Sequence, residues 1–178
     1  MELLQRLVNR DQSALKELYQ DLGAKVYNTA ISYVQDSSEA EEITQDVFLE
    51  VYKSAAQFKG KSSVSTWVYR ITVNKSLDLL KYKKRSRRFA NLFSLSETKI
   101  DLPHFDHPGI LLENKDEARV LFEQIYLLPN QQKTAFILAY VEELPRGEIA
   151  EIMDLKLKAV ESLLHRAKKN LREKLKKD

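Results

Sequence analysis

Between Lys81 and Arg88 the chain places Lys81, Lys83, Lys84, Arg85, Arg87 and Arg88. Cations at a helix C-terminus complement its dipole, but so many in one short run exceed what capping requires and form an electrostatic footprint for phosphate. Just upstream, Lys59-Gly60-Lys61-Ser62-Ser63 is a polar loop with two cations and terminal hydroxyls able to cap a helix. In the helix that follows, Val64, Trp67, Val68 and Ile71 recur at helical spacing as one apolar stripe, and Tyr69, Arg70, Asn74 and Lys75 turn toward other faces. Cations, hydroxyls, an aromatic-rich helix and an Asn able to pair adenine through two hydrogen bonds suit unstacked single-stranded bases. Trp67 lies on the stripe and reads as a core residue before a stacking platform.

A second basic element closes the chain. Glu148 to Met153 reads as a short helix after Pro145, a suitable first helical residue, with Asp154-Leu155-Lys156 a turn. Val160, Leu164, Ala167, Leu171 and Leu175 form the inner stripe of a longer helix. Short helix, three-residue turn and long basic helix make helix-turn-helix spacing. Its outward set is Lys158, Glu161, Ser162, His165, Arg166 and Lys169. Ser162, His165 and Arg166 suit base edges in a major groove, and Lys158 and Lys169 suit phosphates.

These elements need a scaffold, and the periodicity supplies helices only. A short helix around Leu3 to Val8 is interrupted at Asn9-Arg10-Asp11, where Asp11 can cap a longer helix carrying Leu15, Leu18, Tyr19, Leu22, Val26, Ala30 and Val34. Asp36-Ser37-Ser38 breaks it. Ser38 with Glu41 reads as the capping box of a third helix running to about Gln57. On that helix Ala40, Ile43, Val47 and Val51 face inward, while Glu42, Gln45, Asp46, Leu49 and Lys53 share the opposite side. An outward Leu49 ringed by polar groups is either a stray surface leucine or the centre of a docking face for a basic helix. Phe89 to Asp116 loses periodicity and collects Pro103, Pro108 and Gly109, a linker signature. Beyond it, helices on Ala118 to Leu128 and Ala135 to Val141 complete an all-α chain of two small helical domains joined by a flexible linker. The expected division is 1–92, 93–114 and 115–178.

Composition narrows the function. With 178 residues, a net charge of +3 and no cysteine, the chain holds one medium core or two small ones and has neither disulfide nor thiolate chemistry. Four glycines form no phosphate loop, and no Ser/His/Asp or paired-carboxylate arrangement appears, so no catalytic residue and no cofactor is expected. His104 and His107, three apart in a proline-containing segment, make a poor metal pair. No apolar run reaches membrane-spanning length, which predicts a cytoplasmic protein not inserted in a membrane.

Ala40-Glu41-Glu42-Ile43-Thr44-Gln45-Asp46-Val47-Phe48-Leu49, Phe58-Lys59-Gly60 and Thr66-Trp67-Val68-Tyr69-Arg70-Ile71-Thr72-Val73-Asn74 together resemble the second conserved region of bacterial RNA polymerase sigma factors of the extracytoplasmic-function (ECF) group. Leu128-Pro129, Glu148 to Ile152 and Val160 to Ala167 are similar to the fourth region. The resemblance implies that Glu42, Gln45, Asp46 and Leu49, with Lys53 beside them, dock on core polymerase. It implies that Lys59, Lys61, Ser62, Ser63, Tyr69, Arg70, Asn74, Lys81, Lys84, Arg85 and Arg88 meet the minus-ten element, and that Lys158, Glu161, Ser162, His165, Arg166 and Lys169 meet the minus-thirty-five element. Core polymerase, promoter DNA and an anti-sigma factor are the implied partners, with no small-molecule substrate. Pro145 and Lys156 stand where the family usually has Ser or Thr caps, and Asp154 where it usually has Gly. An autonomous helix-turn-helix regulator is the alternative, and a helical adaptor with solvated basic faces a third reading.

Overall fold

The computed structural model describes residues 2–93 and 115–176, and among them every regular element is helical. The elements are α1 (Glu2–Val8), α2 (Gln12–Val34), α3 (Ser37–Ser54), a 3-10 turn (Ala55–Gln57), α4 (Val64–Phe93), α5 (Lys115–Tyr126), α6 (Asn130–Tyr140), α7 (Arg146–Met153) and α8 (Leu157–Leu175). His104 and His107 lie outside the described residues.

The boundaries follow from caps. Asp11 opens α2 by accepting the Ser13 amide at 2.8 Å, and Arg6 reaches across α1 to hold the same carboxylate. Gln35 closes α2 in the left-handed region, φ 56°, with its amide on the Ile31 carbonyl at 2.8 Å. That sharp reversal makes Asp36 the N-cap of α3, accepting the Glu39 amide at 2.9 Å. The expected Ser38–Glu41 capping box is therefore corrected: the cap-to-third-residue spacing is met two residues earlier, and Ser38 already lies inside the helix. Before α4, Gly60 takes φ 66°, and Ser63 Oγ accepts the Thr66 amide at 3.0 Å. The Phe58 ring stacks on Trp67 at 4.8 Å between centroids, fixing the loop against the start of α4. α4 persists past the basic run to Phe93, so the loss of apolar periodicity after Arg88 does not end the helix.

Helices α1–α4 enclose one part of the core, with Leu7, Leu18, Val26, Ala30, Val34, Ile43, Val47, Val51 and Val68 buried. Helices α5–α8 enclose the other around Phe122, Ile125, Leu138, Ile149, Val160, Leu164, Ala167 and Leu171. Leu163 joins that inner side, while Leu175, expected on it, is exposed in the last turn of α8. Pro145 sits just before α7 with ψ 142°, an extended residue that caps the helix without being its first member.

The turn of the helix-turn-helix is closed by backbone. Asp154 adopts φ 53°, its amide reaches Glu151 O at 3.3 Å, and the Leu155 amide reaches Ala150 O at 2.9 Å. This paired closure favours glycine at the left-handed position. Asp154→Gly should raise stability by about 0.5–1 kcal/mol by relieving the left-handed strain, which a melting curve would register as an increase of roughly 2 °C or more.

The two helical units do not stand apart. α4 packs on α7, and α2 packs on α5 and α6. Gln35 Nε2 donates to Phe122 O at 2.6 Å, Thr66 Oγ1 to Glu148 Oε1 at 3.2 Å, and Tyr69 OH to Glu142 Oε2 at 3.0 Å. The Arg70 guanidinium donates to the Glu151 carbonyl oxygen. The sequence suggested two domains with their binding faces free; in this closed arrangement the outward faces of α3 and α8 are exposed, whereas Tyr69 and Arg70 are engaged by the second unit. The hydrogen bonds across the contact come from isolated polar residues, which leave no periodic signal.

Candidate polymerase and nucleic-acid interfaces

α3 is organised by its buried side. Ala40, Ile43, Thr44, Val47, Phe48 and Val51 pack inward against α2 and α4, which forces Glu42, Gln45, Asp46, Leu49 and Lys53 into solvent. Leu49 is 49% exposed, far more than a leucine in this helix needs to be. Lys75 of α4 stands 3.8 Å from Asp46 and 3.9 Å from Glu50, so the acidic face is already partly neutralised at one edge. Leu49 thus forms an exposed apolar centre within an acidic rim on a helix held by its buried side.

The second set spans the loop before α4 and α4 itself. Lys59, Lys61, Ser63 and Asn74 are exposed, Ser62 is half-buried, and Lys81, Lys84, Arg85 and Arg88 are exposed along one end of the helix. Lys81 pairs with Asp78 at 3.0 Å. Tyr69 and Arg70 depart from the outward placement that helical spacing assigned them. Tyr69 is 3% exposed, and Arg70 is half-buried, because α7 and the turn before it lie over this part of α4. Trp67 is half-buried against Phe58, as a packing residue would be.

The third set lies on α8. Val160, Leu163, Leu164, Ala167 and Leu171 are held inward, and Lys158, Glu161, Ser162, His165, Arg166 and Lys169 are all exposed. Arg146 at the start of α7 reaches Glu161 at 3.6 Å, bracing the two helices. Lys168 lies 4.5 Å over the Tyr140 ring, and Asn170 Nδ2 donates to Gln132 Oε1 at 2.8 Å, so α8 is seated on α6 along its back.

Sequence reasoning missed the residues between the units. Glu142, in the turn after α6, accepts from Tyr69, and burial raises its carboxyl above the usual range against the lowering effects of Tyr69, Thr29 and Lys25. Gln35 is 1% exposed. A lone Glu in a polar turn and a lone Gln at a helix end offer nothing to read before the partner helix is in place. Among the described residues no group of histidines and carboxylates could hold a metal, and no helix is long and apolar enough to cross a membrane.

Residues 18–86 match the family Sigma-70 region 2, and residues 119–171 match Sigma-70, region 4. The chain is an ECF-type sigma factor of the sigma-70 family. The ECF RNA polymerase sigma-E factor of Haemophilus influenzae is 31% identical over 122 residues, 66% of this chain and 65% of that one. The ECF RNA polymerase sigma factor SigW of Bacillus subtilis is 25% identical over 169 residues, 93% of this chain and 90% of that one. The fold is shared with the sigma factor RpoE of Bartonella quintana, solved in complex with the anti-sigma factor NepR. The TM-score is 0.67 at 20% identity, covering 92% of this chain and 99% of that one. This sigma factor is all-α, with two helical subdomains and helix-turn-helix-like C-terminal helices. It directs RNA polymerase to promoters and is not an enzyme.

Proposed function

We propose that the division of labour within this sigma factor follows the three exposed sets. Residues 1–92 dock core polymerase through Glu42, Gln45, Asp46, Leu49 and Lys53, and meet the minus-ten element through Lys59, Lys61, Ser62, Ser63, Tyr69, Arg70, Asn74, Lys81, Lys84, Arg85 and Arg88. Residues 93–114 link to residues 115–178, where Lys158, Glu161, Ser162, His165, Arg166 and Lys169 meet the minus-thirty-five element. The observation that carries this reading is the pairing of buried stripe and exposed set on α3 and α8: each helix spends its apolar side on its own core and leaves one polar side unspent. In-vitro transcription with purified core polymerase on a promoter library tests it. Specific initiation is the expected result, and failure to initiate from any promoter overturns the reading.

Tyr69 bonds Glu142 in the turn before α7 and Arg70 bonds Glu151 of α7 in the closed arrangement, so reaching DNA through them requires that turn and α7 to leave. The closed form is the factor off its promoter. Its place is the cytoplasm, where polymerase is, and an anti-sigma factor is its inhibitory partner. Leu49 and Leu157, 49% and 48% exposed, are apolar points that such a partner would cover. Pull-down from unstressed native cells should recover it in place of polymerase; a constant polymerase-bound pool indifferent to stress argues against it.

The two DNA sets differ in what they read. Arg166→Ala should weaken protection of the upstream duplex element, and Asn74→Ala that of the downstream element where bases unstack, each by about 1–3 kcal/mol. Footprinting separates them. Equal losses at both elements from either substitution count against the division.

A further inference from the structure

Between the C-terminal part of α4 and the α5–α6 corner lies a cleft of about 430 Å³, lined by Leu80, Lys84, Arg87 and Arg88 on one side and by Tyr126, Leu127, Asn130 and Lys133 on the other. Its charge is one-sided. Lys81 and Lys83, at the same wall, are paired with Asp78 at 3.0 Å and Glu39 at 2.8 Å, but Lys84, Arg87, Arg88 and Lys133 have no carboxylate within ion-pair distance among the described residues.

Lys133 is the unusual member. It is 3% exposed, on the inner part of α6, and its ammonium has the Tyr126 ring 4.7 Å away as its neighbour. Burial pushes its pKa down to about 8, the direction taken by a cation withdrawn from water with no anion beside it. A buried charge is ordinarily paired. The start of α6 points the same way, because Pro129 gives its first amides no side-chain cap, and Asn130 at that end lines the cleft. Uncapped amides at a helix N-terminus favour phosphate, and here the helix end and the buried ammonium converge on one space. The remaining wall is apolar: Leu80, the Tyr126 ring and Leu127, which is 40% exposed.

We propose that this cleft binds a nucleoside polyphosphate, its phosphates held by Lys133, Lys84, Arg88 and the amides at the start of α6, and its base against Tyr126 and Leu127. The ligand bridges α4 to α6 and so holds the closed arrangement. Lys84 and Arg88 also belong to the proposed minus-ten set, and the consequence that ligand and promoter DNA compete rests on that reading; binding itself does not.

The test is calorimetric titration of the free factor, without DNA or polymerase, with GTP, ATP, inorganic tripolyphosphate and inorganic phosphate. The expected result is one saturable site per chain for the nucleotides, at least tenfold tighter than tripolyphosphate. A matching rise in melting temperature is expected, since a ligand bound only by the folded chain stabilises it. Lys133→Met and Arg88→Gln should each weaken binding tenfold or more, and Lys16→Gln, on the exposed side of α2, should leave it unchanged. Arg88 is exposed, so that variant keeps its fold even if the change at Lys133 does not. No saturable binding at millimolar nucleotide, or equal losses in all three variants, overturns the site. Equal affinity for nucleotide and tripolyphosphate overturns the role of the base. A factor that binds no nucleotide yet initiates at its promoter sinks this inference and leaves the promoter-reading function standing.

Discussion

A Gln35→Gly, Glu142→Ala double variant should be larger in solution than the parent and should bind promoter DNA more readily in complex with core polymerase. Gln35 contributes the 2.6 Å bond to Phe122 O, and Glu142 accepts the Tyr69 hydroxyl at 3.0 Å, so the pair removes contacts from both sides of the seam between the helical units. Glycine suits φ 56°, so the reversal after α2 is retained. Losing a buried hydrogen bond costs about 1–3 kcal/mol, and at a pH where Glu142 holds its proton about 3 kcal/mol for the pair corresponds to more than a hundredfold shift in the open-to-closed ratio. A compact chain of this length has a radius of gyration of about 16 Å, and small-angle scattering should find the parent near it and the variant well above. An unchanged radius together with unchanged promoter affinity would show that the seam restrains nothing.

Glu142 also gives the seam a pH dependence with a definite sign. Burial raises its carboxyl in the closed form, so the closed form holds its proton to higher pH than the open form does. The contribution to closure is complete below the ordinary glutamate pKa and is lost as pH rises through the raised value. Glu142→Gln cannot deprotonate, and its scattering profile should be flat across the same range.

How much of this could be read beforehand depends on whether a residue acts with its own helix or with a distant one. The inward stripes of α3 and α8 were legible because Ile43, Val47 and Val51, like Val160, Leu164, Ala167 and Leu171, are buried by the period of the helix alone. Their exposed counterparts followed by subtraction, which is why Glu42, Asp46, Ser162 and Arg166 emerged without a structure. Tyr69 did not, since its partner is Glu142, in the turn between α6 and α7 far along the chain. The same holds for Lys133: in sequence it is one cation after a proline and three polar residues, and only the fold gives it a buried place beside the Tyr126 ring with no anion. Caps sat between these cases. Asp11 was readable, whereas the left-handed Gln35 shifted the start of α3 by two residues and had no local signature.

Leu49→Ala should reduce affinity for core polymerase by roughly 30-fold, about 2 kcal/mol, with the helical content unchanged. The case rests on the asymmetry of α3. Its buried side holds the first core, and Leu49 contributes nothing there while exposing 49% of its surface. Removing the side chain costs the fold little, because Leu49 is outside the buried core and about half in water, but it removes the apolar centre of the proposed docking face. The charged rim should act differently. Asp46 lies 3.8 Å from Lys75, an exposed pair worth little to stability. Asp46→Lys sets a new cation beside Lys75 and reverses the sign presented to a basic partner helix, so it should slow association, and slow it most at low salt. Leu49→Ala should instead speed dissociation at any salt. Stopped-flow binding of the two variants to core polymerase separates the effects. If both associate and dissociate like the parent while circular dichroism is unchanged, polymerase docks elsewhere and the exposed leucine is a surface residue without a partner.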